Sequence, residues 1–200
     1  RTMNCNHLIG LCGFAKSGKN SFADFIIESR IRNKADILGL KTLSFAHALR
    51  RELEDFVYDK IGISTFTQDP VEKEIIRPLL VCWGTDIIRN KINKDYWVEK
   101  IKRAYEINRK NKITSIITDV RFENELNWIQ KEGGIVIFID RDGIKPINSD
   151  ELEFTQPLAN KSDFYFQWPN FENFNEKGSE FVQNFLTDND LCYLTKPIKN

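Results

Sequence analysis

Residues 8–21, LIGLCGFAKSGKNS, constrain this chain more than any other stretch. An apolar run reaches Gly13. Four residues follow, then Gly18-Lys19, then the polar pair Asn20-Ser21, and SFADFIIESRI places its apolar residues at helical spacing. Strand, glycine-bounded loop and helix in that order turn the backbone N–H groups inward, and the helix adds its positive N-terminus. A loop of this kind grips phosphate, and Lys19 brings a full charge to the β- and γ-phosphates of a triphosphate. Gly13, Phe14, Ala15, Lys16, Ser17, Gly18, Lys19, Asn20 and Ser21 are the expected ATP-binding residues; a coincidental glycine turn is the competing reading. Asn20 departs from the commonest form, in which Ser or Thr follows the lysine, and Ser21 carries the hydroxyl one residue later.

Two hundred residues suit one domain, taken as 3–190, with Arg1 and Thr2 read as a cloning remnant ahead of Met3. Lys plus Arg equals Asp plus Glu at 29 each, a balance that argues against a polymeric nucleic-acid binder. Cys5, Cys12, Cys82 and Cys192 form no CxxC pair, and the histidines are His7 and His47, so a metal held by these residues is not expected. No apolar run approaches a membrane span, and no signal layout opens the chain. A reducing cytoplasm, the host's if the chain is viral, is the expected location.

Along the chain, strand candidates are 8–12, LGLKTLSF at 38–45, ITSIITD at 113–119, IVIFIDR at 135–141 and FYFQW at 164–168. The first helix covers about 20–33. AHALRRELEDFVYDKIG forms a second, with Ala46, Leu49, Leu53, Phe56, Val57 and Ile61 on one face. One or two helices follow from Val71, turned or kinked at Pro78. Trp97, Val98, Ile101 and Tyr105 share a face of the next helix, and Ser179 caps a last one over EFVQNFL. Strands alternating with helices predict a three-layer α/β domain around a mostly parallel sheet of about five strands, of the P-loop NTPase type. The helical block 46–110 exceeds what a crossover needs and is assigned to the acceptor side; the polar stretch 142–162 is the expected mobile lid.

Ligands in open parallel sheets sit at the carboxyl ends of strands. That rule selects the loop, Ser44–His47, Asp119–Arg121 and Arg141. Asp119 could hold a metal-bound water or accept a proton, and Arg121 could bind phosphate bidentately; the bland alternative is an N-cap followed by a solvated arginine. Glu125, one helical turn on, orients Arg121 or forms a surface ion pair. Arg77 and Arg89 flank WGTD and could bind a second phosphate, or be ordinary surface charge. Trp83 and Trp97 could stack on a base, although Trp97 is in phase with core positions. His47 could touch a phosphate or sugar but is read rather as a first-turn helix residue, and Asp150, Glu151 and Glu153 are read as a solvated acidic run.

Assembled in this order, GFAKSGKNSFADFI, SFAHAL, RPLLVCWGTDIIRNKINKDYWV, TDVRFENE and GGIVIFIDR resemble the bacteriophage deoxynucleoside monophosphate kinases of the P-loop kinase superfamily, with weaker likeness in LEFTQPLANKSDFYF and GSEFVQNFL. The resemblance implies transfer of the ATP γ-phosphoryl group to a deoxynucleoside 5′-monophosphate, with Mg²⁺ as cofactor and no polymeric nucleic acid or membrane partner; a homodimer stays open. It makes Lys19, Asp119 and Arg121 the catalytic set and Ser21 the hydroxyl on the Mg²⁺ side. Arg77, Arg89, Trp97, Glu125 and Glu153 fall on the acceptor side, and Arg141 on the ATP or lid side. Glu153 matches a glutamate usually preceded by His and Ser or Thr, whereas this chain reads Ser149-Asp150-Glu151-Leu152. Kinases of other small acceptors, such as a nucleoside or dephospho-coenzyme A, and a nucleotide-binding protein without turnover are the alternatives.

Overall fold

The computed structural model describes residues 7–34, 39–169 and 174–195. Five strands build one sheet: β1 Leu8–Cys12, β2 Leu40–Leu43, β3 Thr114–Val120, β4 Ile135–Arg141 and β5 Phe164–Trp168. Their order is β2-β3-β1-β4-β5, and β1–β3, β1–β4 and β4–β5 pair in parallel. The strand nearest the N-terminus therefore lies in the middle. Isoleucine-rich β3 and β4 suit that sheet, because parallel strands are covered on both faces and select β-branched residues.

The chain forms two compact units, residues 1–42 with 105–200, and residues 43–104. The first holds the sheet, α1 Lys19–Arg32, α5 Glu123–Lys131 and α6 Phe174–Asp188. Its core joins Ile9 and Leu11 of β1 and Ile137 and Ile139 of β4 to Phe22 and Ile26 of α1 and Val182 and Leu186 of α6. Around Phe166 the rings of Phe22, Trp168 and Phe185 meet edge to face at centroid distances of 5.0, 4.8 and 5.1 Å. Such pairs contribute about 0.5–1.5 kcal/mol each beyond the area they bury.

The second unit contains α2 Phe45–Ile61, α3 Pro70–Val81, a π-helical segment Cys82–Ile92 and the beginning of α4 Tyr96–Lys110. Ser44 starts α2 by accepting from His47 N–H at 3.1 Å, and Gly62 ends it at φ 70. Asp69 starts α3 by accepting from Val71 and Glu72, with Pro70 in the first turn, where its missing N–H costs least. Leu53 and Val57 pack on Ile76 and Leu80. Past Pro78, which removes a helical donor, the chain widens: Asn93 N–H reaches back five residues to Ile88 O at 2.8 Å. WGTD lies inside this wider helix. No helix among the described residues is long and apolar enough to cross a membrane.

Several local expectations need correction. The second strand is Leu40–Leu43, because Ser44 leaves it to cap α2; residue 38 lies outside the described residues, as do Cys5 and the C-terminal residues from Lys196. On α2, Phe56 and Ile61 are more than half exposed, since only the 49–53–57 stripe meets α3. α6 runs through Gly178 and Ser179 rather than starting there. Gly178 is required by packing: a Cβ at that position would lie 2.5 Å from the Phe25 ring. Within the polar stretch 142–162 lie helical turns Glu151–Thr155 and Gln156–Asn160, with Thr155 and Leu158 buried.

Candidate active site

The loop after β1 holds a conformation that its sequence makes affordable. Gly13 has φ 136, and a Cβ there would meet Ile139 O at 2.2 Å; Gly18 has φ 89 and caps α1. Lys16 sits at φ 64, a left-handed position costing a side-chain-bearing residue on the order of 1–3 kcal/mol, the kind of strain found at ligand-binding turns. Lys19 Nζ donates to Gly13 O and Phe14 O, each at 2.7 Å, so its ammonium is already curled over the loop. Ser17 Oγ is fully buried and has no hydrogen-bond partner, although a buried hydroxyl normally finds one. α1 has no acidic residue in its first turn to offset its positive end. An unpartnered buried hydroxyl, a lysine and a helix N-terminus with no acidic residue in its first turn are features that favour an anion. Ser21 is half-buried in that first turn, beside exposed Asn20.

Strand register decides what faces the loop. Cys12, the residue before Gly13, pairs with Val120, which puts the loop beside the Asp119–Arg121 end of β3. Glu125, 4% exposed, accepts from Arg121 N–H at 2.8 Å and Phe122 N–H at 3.1 Å, and Thr155 Oγ1 donates to Arg121 O at 3.3 Å. The backbone bearing Arg121 is thus held on both sides while its side chain reaches solvent. Electrostatics report the same convergence. Burial, then the Arg121 charge, pull the Lys19 amine down to about 8, against the opposing charges of Glu151, Cys12 and Asp119. Lys19 thus feels the charges of both Arg121 and Asp119.

Glu151 was missed by sequence reasoning, which read it as one of a solvated acidic run. Its Oε1 accepts from Ala15 N–H in the loop at 2.8 Å. Glu153, singled out by the resemblance, is exposed in the same turn, and Arg141 is exposed at the end of β4 with its N–H on Asp140 Oδ1 at 2.8 Å. One local signal accompanies Glu151: Asn148 three residues earlier, whose Oδ1 accepts from Glu151 N–H at 2.9 Å and opens the turn.

The remaining candidates belong to the helical unit. Arg77 is exposed, 3.6 Å from Glu74; Arg89 is half-buried and donates to Lys94 O at 3.0 Å. Trp97 is 7% exposed and donates to Gly84 O at 2.9 Å, which fixes WGTD against α4. Glu52, not anticipated, accepts from Trp83 Nε1 at 3.1 Å, Tyr96 OH at 2.7 Å and Lys100 Nζ at 3.0 Å. Burial raises the Glu52 carboxyl, but these three donors outweigh it and hold the group below its ordinary range. The His47 ring lies 5.0 Å from that of Phe66.

A sequence model of deoxynucleotide monophosphate kinase matches residues 32–155. A protein of Acanthamoeba polyphaga mimivirus assigned as a deoxynucleotide monophosphate kinase is 30% identical over 153 residues, 68% of this chain and 75% of its own length. This chain belongs to the deoxynucleotide monophosphate kinase family. Its fold is that of the P-loop kinases: dephospho-CoA kinase from Campylobacter jejuni superposes with a TM-score of 0.52 at 15% identity, over 92% of this chain and 98% of the other. Family and fold together make it a nucleotide kinase, with a phosphate loop of the form GFAKSGK.

Proposed function

We propose that this kinase transfers the ATP γ-phosphoryl group to a deoxynucleoside 5′-monophosphate, giving the diphosphate and ADP. The observation that supports the reading is the strand register, which sets the Asp119–Arg121 end of β3 beside a loop with an unpartnered buried Ser17 hydroxyl. Phosphoryl transfer asks little covalent work of the protein, and the acceptor phosphate is itself the nucleophile, so a strong base is unnecessary. Positioning and charge neutralisation remain. The loop amides and Lys19 hold the donor phosphates, and Arg121 offers two parallel N–H donors to the group in transit. In this reading Arg77 and Arg89 are the acceptor-side charges that the family resemblance implies, and buried Trp97 holds the WGTD backbone.

The donor set fits magnesium, which takes oxygen ligands and is commonly bound by one or two side chains together with substrate phosphates. The Ser21 hydroxyl and the Asp119 carboxylate would hold it, and the ion would neutralise charge on the β- and γ-oxygens. The connection 62–69 is tied down. Glu54 accepts from Ser64 Oγ and Thr65 N–H at 2.7 Å each, and Thr65 Oγ1 donates to Arg50 O at 2.8 Å. The stretch 142–150 is mostly exposed, and it is the part available to exclude water. An enzyme of this kind works where ATP and free nucleotides are, in the cytoplasm.

An ADP-release assay over deoxynucleotide, ribonucleotide, nucleoside and dephospho-coenzyme A acceptors tests the reading. Release with deoxynucleoside monophosphates is expected, and Lys19→Ala and Arg121→Ala each lower it on the order of 10²–10³-fold while remaining folded. Wild-type turnover by either variant, or preference for a nucleoside or dephospho-coenzyme A, overturns it.

A further inference from the structure

Glu151 makes contacts that a solvated acidic residue does not make. One carboxylate oxygen accepts from Ala15 N–H of the phosphate loop at 2.8 Å, and the other accepts from Ile147 N–H at 3.1 Å. Its own N–H donates to the Asn148 side chain at 2.9 Å. The carboxylate therefore ties the loop to the turn 147–151, across 136 positions of sequence. Ala15 lies inside the loop 13–21, and α1 brings no acidic residue in its first turn to that loop. An anion from elsewhere in the chain already sits on a loop built for anions, close enough to Lys19 for its charge to act on the ammonium.

We propose that Glu151 is a built-in occupant of the donor phosphate site, holding the Ala15 amide in the nucleotide-free protein and giving way to an incoming triphosphate. This rests on reading the loop as the ATP site. A carboxylate oxygen and a phosphate oxygen compete for the same N–H, and two anions beside one amide repel each other, so filling the site expels Glu151. The triphosphate prevails because it meets several loop amides, the buried Ser17 hydroxyl and Lys19 at once, whereas Glu151 meets one loop amide. Two consequences follow. Donor affinity is lowered by the work of removing the carboxylate. Filling the site also releases the turn 147–151, and with it the exposed stretch that ends there, so donor occupancy and the conformation of that stretch are coupled.

Calorimetric titration of the full chain with inorganic tripolyphosphate, and separately with ATP, tests the proposal in wild type, Glu151→Gln, Glu151→Ala and Asp150→Asn. Both Glu151 variants are expected to bind tripolyphosphate roughly five- to tenfold more tightly, the equivalent of one charge-assisted hydrogen bond no longer displaced. Asp150→Asn removes the same charge from the exposed neighbour and stays within about twofold of wild type. Unchanged or weaker binding by the Glu151 variants overturns the proposal, and so does equal tightening by Asp150→Asn. Tripolyphosphate has no nucleoside, so this result stands apart from the acceptor question: failure of the kinase reading appears as absent ADP release with every acceptor while the Glu151 effect persists.

Discussion

Lys19 sits at an energetic compromise. Its amine titrates at about 8 because burial, then the Arg121 charge, oppose the ammonium. Phosphate binding needs the ammonium, so tripolyphosphate affinity should hold level below pH 8 and weaken by up to about tenfold per pH unit above it. Calorimetric titrations from pH 7 to 9.5 check this; a level profile throughout contradicts it. The effect on folding has the opposite slope: the buried charge is a penalty below pH 8, relieved as pH rises toward the ordinary value of 10.5. Cys12 beneath the loop behaves differently. Burial pushes its thiol up to about 12, so alkylation at pH 8 should modify exposed Cys82 and leave Cys12 intact, as read by peptide mass mapping. Lys19 and its glycines are legible in the sequence because their spacing is local. Glu151 is not, since its partner Ala15 is remote and a hydrogen bond across folded chain leaves no periodic trace.

Helices show where local rules give way to packing. Gly178-Ser179 reads as a helix start, because glycine weakens a helix interior and serine caps well. Yet the helix continues, because the Phe25 ring leaves no room for a side chain at residue 178. Gly178→Ala should gain up to about 1 kcal/mol of helix propensity and lose about 1–3 kcal/mol to overpacking. A net loss near 1 kcal/mol in urea unfolding is expected; a gain would show that Phe25 yields. In the helical unit, Glu52→Ala strands three donors and should cost about 1–3 kcal/mol, with amide protection lost mainly over 43–104 in hydrogen exchange. The π-helical segment was legible only as an interruption at Pro78, because its wider turn depends on hydrogen bonds that span five residues.

For the molecule as a whole, the parallel sheet was readable from the sequence. Buried parallel strands have a distinct composition, and loops at their carboxyl ends gather ligand groups. Arg77 and Arg89 could not be told from ordinary surface charge, because helical charges look alike whether they meet solvent or phosphate. Charge balance belongs to this scale too: with 29 basic and 29 acidic residues, retention on immobilised single-stranded DNA at 150 mM salt is expected to be absent, and firm retention would reveal a local basic groove. The strand order has a further consequence during synthesis. β1 pairs with Ser115 onward on one side and Ile135 onward on the other, so both neighbours leave the ribosome more than a hundred residues after it does. A nascent chain carries LIGLC unpaired, a short sticky strand awaiting partners, until β3 and β4 have been made. The loop proposed to grip phosphate has Ile139 O of β4 packed against Gly13, so a ribosome-bound chain ending before β4 should be unable to retain nucleotide.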